Sequence, residues 1–215
     1  MLITESVVQD AIAKGKKTLD VPRNAIITPL ANELAVSKGI RFVQTESQVI
    51  SSSAPVKTAE NISAKGKTVA FGSDHGGFQL KEQLKKLAES LGYTVIDLGT
   101  KDENPCDYPD FAYAVARAVA SGEAWRGVMI DGAGIGSCVV ANKVPGVKAA
   151  CCHNEFVARN AREHNDTNLL TLGSRVTGSE VCKEILRVWL ETPFAGGRHK
   201  QRVDKIDEVE KRFLK

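Results

Sequence analysis

Gly127-Val-Met-Ile-Asp-Gly-Ala-Gly-Ile-Gly-Ser137 is the stretch on which the reading of this chain turns. A short Val/Ile-rich run is the signature of a buried strand. Three glycines on alternate positions then let the backbone turn tightly and bring bare N–H groups close to a ligand. Asp131 falls where the strand stops, the place at which open α/β sheets carry their binding groups. A carboxylate beside a nest of amide donors is equipped to move a proton and to stabilise an oxyanion. The plainer alternative is a structural turn with a solvated acid.

Working outward, strand and helix signals alternate from residue 67 to the end of the chain. Strands are expected at 68–72, 93–98, 127–130, 147–152 and 168–173. Helices are expected at 78–91, 109–120, from the glycine loop through Val140, and at 154–163, 179–190 and 204–214. Such alternation predicts an α/β fold, a Rossmann-like three-layer architecture with a five-stranded parallel sheet. Residues 45–66 are rich in Ser, Ala and polar residues with little periodicity, which reads as a flexible linker. Residues 1–44 form a separate small α/β appendage. Val7, Val8, Ala11 and Ile12 share a helical face that Gly15 ends, and Thr28-Pro29 opens a second helix closed by Gly39. Thr18–Pro22 and Ile40–Val43 read as extended. No internal repeat and no Walker-type loop stands out.

Bulk composition narrows the function. The 215 residues carry a formal net charge of +3, with 42% hydrophobic and 26% charged residues, as in globular domains. Lys and Arg are dispersed and do not alternate with aromatics, which argues against a nucleic-acid partner. Five cysteines without paired CxxC spacing suit a reducing, cytoplasmic setting and make no metal site. No stretch has transmembrane length or the pattern of a secretory signal.

Three further segments carry chemistry-bearing side chains. Ser73-Asp74-His75-Gly76-Gly77 follows the first domain strand and suits a polar or phosphorylated ligand, the alternative being a helix N-cap with an incidental histidine. His164, at the end of the helix before the last strand, is a candidate acid/base because imidazole titrates near neutrality. A helix-terminal His interacting with the dipole is the alternative. Arg198 and Arg202 are four apart and, on a helix, would point the same way to clamp a phosphate, with Arg175 as a third cation. Asp74, Asp131, His164 and the arginines all fall at strand ends or in turns, which is read as one edge of the sheet.

In these motifs residues 67–215 resemble the ribose-5-phosphate isomerase B family, which includes galactose-6-phosphate isomerase subunits. The resemblance rests on Gly72-Ser-Asp-His-Gly-Gly-Phe78, Asp107-Tyr-Pro-Asp110, Gly132-Ala-Gly-Ile-Gly136, Ala141-Asn-Lys143, Arg162-Glu-His-Asn-Asp-Thr-Asn168, Gly173-Ser-Arg175 and Gly196-Gly-Arg-His-Lys-Gln-Arg202. It implies a metal- and cofactor-free aldose–ketose isomerase of sugar phosphates, most simply ribose 5-phosphate to ribulose 5-phosphate. It also implies a homodimer or tetramer whose sites take residues from two subunits. By position, His164 opens the sugar ring while Asn165 and Asp74 hold hydroxyls. The amides of Gly132, Ala133, Gly134, Ile135 and Gly136 cradle the enediolate, and His75, Arg175, Arg198 and Arg202 take the phosphate. Two positions depart from the family pattern. Asp131 stands where a Cys base is usual, and Ala133 where a hydroxyl residue is usual, so Asp131 is expected to act as the base. Ser137 occupies the place from which some members use a carboxylate base. Ile3-Thr-Glu5 and Asn24-Ala-Ile-Ile-Thr-Pro-Leu-Ala-Asn-Glu33 look like an N-terminal segment of bacterial microcompartment-associated enzymes. That similarity implies a targeting or assembly module with shell or lumenal partners, the alternative being a small oligomerisation appendage.

Overall fold

The computed structural model describes residues 2–22, 25–45 and 67–214, in two compact units divided after Ile62. Apart from Thr45, the expected linker lies outside the described residues.

The first unit runs β1 (Leu2–Ile3), α1 (Glu5–Ala13), β2 (Thr18–Pro22), β3 (Ile26–Ile27), α2 (Pro29–Lys38) and β4 (Arg41–Thr45). β1 pairs in parallel with β3, and β2 with β4. Thr28 caps α2 through Ala31 N–H (3.2 Å), and Gly39 ends it in the left-handed region (φ 69°), as Gly15 follows α1 (φ 66°). The unit is an internal duplication that the sequence reading overlooks. Leu2-Ile3-Thr4…Gly15 and Ile26-Ile27-Thr28…Gly39 are two copies of strand–Thr–helix–Gly, and the register pairs Leu2 with Ile26 and Ile3 with Ile27. Only the turn residues and the strand before them match, too little for a repeat to show without the pairing. Ile3, Val8, Ala11, Val21, Ala31, Ala35 and Ile40 form this unit's own buried core.

The second unit runs β5 (Thr68–Ser73), α3 (Phe78–Ser90), β6 (Thr94–Asp97), α4 (Tyr108–Ala120), β7 (Arg126–Asp131), α5 (Ile135–Ala141), β8 (Ala149–Cys151), α6 (Glu155–Asn165), β9 (Leu169–Gly173), α7 (Ser179–Glu191) and α8 (Arg198–Phe213). The five strands form one parallel sheet in the order β6-β5-β7-β9-β8. Leu80, Leu84, Ile185, Leu186 and Trp189 from α3 and α7 pack with Val128, Ile130, Leu170 and Leu172 into the principal core. On the other face α4 approaches β5 and β7 where they carry glycine. A Cβ at Gly72 or Gly127 would stand 2.6 Å from a Val115 methyl. The alternation seen in the sequence is therefore the fold. The largest differences in bounds are at the edge strand β8, which is three residues long, and at α8, which begins at Arg198 instead of 204.

Candidate active site

β5, β7 and β9 all deliver their carboxyl ends to one edge of the sheet, and Asp74, Asp131 and Arg175 stand there. Asp131 ends β7 and is 5% exposed. Its Oδ1 accepts from the amides of Ala133 (2.8 Å) and Gly134, and its Oδ2 from the amide (3.0 Å) and hydroxyl of Ser137. A carboxylate offers about four acceptor sites, so these donors fill it. The expectation that the Ala133 and Gly134 amides cradle a substrate oxyanion is thereby corrected: both point at Asp131. The reason is geometric, since a side chain at the strand end sits one turn beneath the first N–H groups of α5 and reaches them before any ligand does. Ile135 and Gly136, in the first turn of α5, have no intrahelical acceptor, and Ile135 is 63% exposed. Tyr108 lies against Gly136, its ring 2.6 Å from where a Cβ would be.

Asp74, just after β5 and 8% exposed, accepts from Gly77 N–H (2.9 Å). Burial above all, together with the charge of Asp131, pushes its carboxyl up from the ordinary value, against the pull of the Gly77 and Gly76 amides and of His75. Gly77 fits because its backbone lies against β7: a Cβ there would stand 2.4 Å from the Ile130 carbonyl oxygen. His75 Nδ1 meets the backbone N–H of Cys106 at 3.2 Å. Arg175, after β9 and exposed, lies over both loops. The point a Gly76 Cβ would take is 3.4 Å from Asp74 Oδ1 and 3.8 Å from Arg175 Nη2, and that for Gly132 is 3.7 Å from Arg175 Cδ.

His164, Asn165, Arg198 and Arg202 stand elsewhere. α6 runs back to the start of β9, so its carboxyl end lies at the edge where strands begin. The expectation of one common edge is thus overturned. Both edges are strand ends, and only the chain direction separates them. Strands of this length put roughly 15–20 Å between the two. At this second edge Asn160 Nδ2 contacts His164 Nδ1 at 2.9 Å. The His164 ring stacks on His199 with centroids 4.0 Å apart and planes 6° from parallel. His199 is 8% exposed, and its Nδ1 has no hydrogen-bond partner among the described residues. Burial first, then His164, Arg198 and Arg202, push it below the ordinary imidazole range. Arg198 and Arg202 occupy successive turns of α8 on one side and are exposed. A cleft of about 360 Å³ is lined among others by Asn142, Lys148, Asn160, Asn165 and, from α8, Ile206. Asn160 was missed as a site residue by the sequence reading, its only signal being its spacing four before His164; Ser137, read there only as the place of a carboxylate base in some members, donates instead to Asp131.

Among the described residues no group of three or more His, Cys, Asp or Glu is placed to hold a metal, and no helix is long and apolar enough to cross a membrane.

Comparison with known proteins places this geometry in a family. Residues 69–206 match the family model described as Ribose/Galactose Isomerase. Ribose-5-phosphate isomerase B of Escherichia coli is 45% identical over 146 residues, 68% of this chain and 98% of that protein. D-erythrulose-4-phosphate isomerase of Pectobacterium atrosepticum is 41% identical over 145 residues, 66% of this chain and 95% of that protein. Among solved structures, ribose-5-phosphate isomerase B of Clostridium thermocellum superposes with a TM-score of 0.67 at 49% identity, covering 68% of this chain and 99% of that one. The acid pair, the glycine loop and the divided cations therefore belong to a Rossmann-like isomerase domain, and the chain is a member of the ribose/galactose isomerase family.

Proposed function

We propose that the chain interconverts an aldose phosphate and its ketose, ribose 5-phosphate and ribulose 5-phosphate in the first instance, by moving a proton between C1 and C2 through an enediolate. The observation that carries this reading is the pair of buried carboxylates, Asp74 and Asp131, held beside Arg175 at the carboxyl edge. Burial, with Asp131 beside it, raises the carboxyl of Asp74 from its ordinary value, which suits it to exchange a proton, and a neighbouring guanidinium suits a phosphate.

The same reading requires two copies. His164, Asn165, Arg198 and Arg202 lie at the opposite edge and cannot reach Asp74 in their own chain, so the complete site joins the carboxyl edge of one protomer to the strand-start edge of another. His75 and Arg175 of one copy, with Arg198 and Arg202 of the other, then bind the phosphate. His164 opens the ring, its Nδ1 engaged by Asn160 and its Nε2 left to exchange a proton. Asn165 and the Ile135 and Gly136 amides hold the sugar oxygens. Asp131 keeps the loop in shape.

A coupled assay over ribose 5-phosphate, D-erythrulose 4-phosphate and hexose 6-phosphates tests this. Turnover of the pentose phosphate is expected. Calorimetric binding without turnover of any substrate overturns the isomerase reading in favour of a sugar-phosphate-binding protein. The separate core of residues 2–45 supports a self-standing module there, for which targeting to a bacterial microcompartment is the proposed role. Fusion of residues 1–45 to a fluorescent protein should co-localise with shells, and diffuse fluorescence excludes it.

A further inference from the structure

We infer that Asp74, and not Asp131 at the position where the family pattern places its base, is the carboxylate that accepts the substrate proton in this chain. The inference rests on the isomerase reading above and assigns the reacting group within it.

The argument compares how the two acids are held. Asp131 receives four donors from Ala133, Gly134 and Ser137, which fill both oxygens. Accepting a proton there would set an O–H against an N–H and strand a donor. Gly134 and Ser137 are buried, so no solvent would replace the lost partner. Asp74 is tied only within its own turn, by the amides of Gly77 and Gly76. Half of its acceptor capacity stays uncommitted. Among the described residues its carboxyl accepts from no other element, so a proton can come and go without breaking the loop. It is buried enough to resist charge and stands beside a second carboxylate, that of Asp131, both of which favour uptake of a proton. It also borders Arg175 across Gly76, so a phosphate on that guanidinium lays the sugar chain along Asp74.

The step balances within the substrate. Asp74 takes the proton from C2 of the open-chain aldose, and the C2–H electron pair becomes the C1–C2 double bond. The carbonyl π pair moves onto O1. Asp74 then returns the proton to C1 as the O2 proton passes to O1 and C2 becomes the carbonyl. C1 is reduced and C2 oxidised, with no outside reagent.

The test is the pH dependence of turnover and the binding of ribose 5-phosphate by the full-length protein and its Asp74→Asn, Asp131→Asn and Ser137→Ala variants. Asp74→Asn should lose about 10³-fold in kcat, bind ribose 5-phosphate within about threefold of the parent, and show residual turnover without an acid limb. Asp131→Asn, or Ser137→Ala if that variant does not fold, should keep turnover that still has an acid limb. In Asp131→Asn the limb should move to lower pH, because the charge that raises Asp74 is gone. An Asp74→Asn enzyme within tenfold of the parent kcat, or one retaining the parent acid limb, overturns the assignment. Absence of turnover in the parent protein overturns the isomerase reading itself.

Discussion

Replacing Asp131 by Ala should destabilise the isomerase domain strongly, and the size of the loss follows from its four donors. Without the carboxylate, the amides of Gly134 and Ser137 are left buried and unpaired, while Ala133 is exposed and its amide finds water. The Ser137 hydroxyl can rotate to another acceptor. Two orphaned buried amides, previously bonded to a charged acceptor, amount to about 3–4 kcal/mol. In a domain of this size that corresponds to a fall in melting temperature of roughly 8–15 °C. Asp131→Asn keeps one acceptor oxygen and the volume, so about half of this loss is expected. Urea titration followed by tryptophan fluorescence isolates the domain, because both tryptophans of the chain, Trp125 and Trp189, lie in it. Removing a functional acid held against its preference commonly stabilises a protein. An unfolding midpoint for Asp131→Ala equal to or above that of the parent would refute the structural role of the Asp131 carboxylate in this loop.

Two other perturbations bear on the same frame. Although burial alone would raise it, Asp97 is drawn down from 3.8 to about 2 by the ammoniums of Lys81 (2.8 Å) and Lys85 (2.7 Å) and by the Gly99 amide. A depressed carboxylate contributes stability above its unfolded value and loses it as pH falls through the folded one. Stability should therefore decline between about pH 4 and 2, and Asp97→Asn should flatten that decline in acid titrations followed by fluorescence. Gly77→Ala should cost about 2–3 kcal/mol, since its Cβ would meet the Ile130 carbonyl oxygen at 2.4 Å. By displacing the amide that holds Asp74 it should also lower kcat/KM at least about tenfold, whereas unchanged kinetics would show the turn is not needed.

The fold was legible because apolar runs of four to six residues alternated with amphipathic ones, and Val128–Ile130 and Leu169–Leu172 lie in the sheet as read. The site was legible as residue types and not as a place. Asp131 and His164 both mark strand ends, yet one follows a strand and the other precedes one, a distinction that chain direction holds and that spacing within a motif does not display. Nor does a motif show whether an amide nest is open or already filled by the acid next to it. The duplication at residues 2–45 escaped notice because strand pairing, and not a run of identical residues, relates its halves.

The division of the site across two protomers is the central claim, and subunit complementation tests it most directly. Asp74→Asn alters one edge of the sheet and His164→Ala the other, so each pure variant should be inactive. Unfolded together and refolded as a mixture, they should recover about a quarter of parental activity, since half of the dimers are mixed and each mixed dimer has one unaltered site. Activity no greater than the sum of the two pure variants would contradict the shared site.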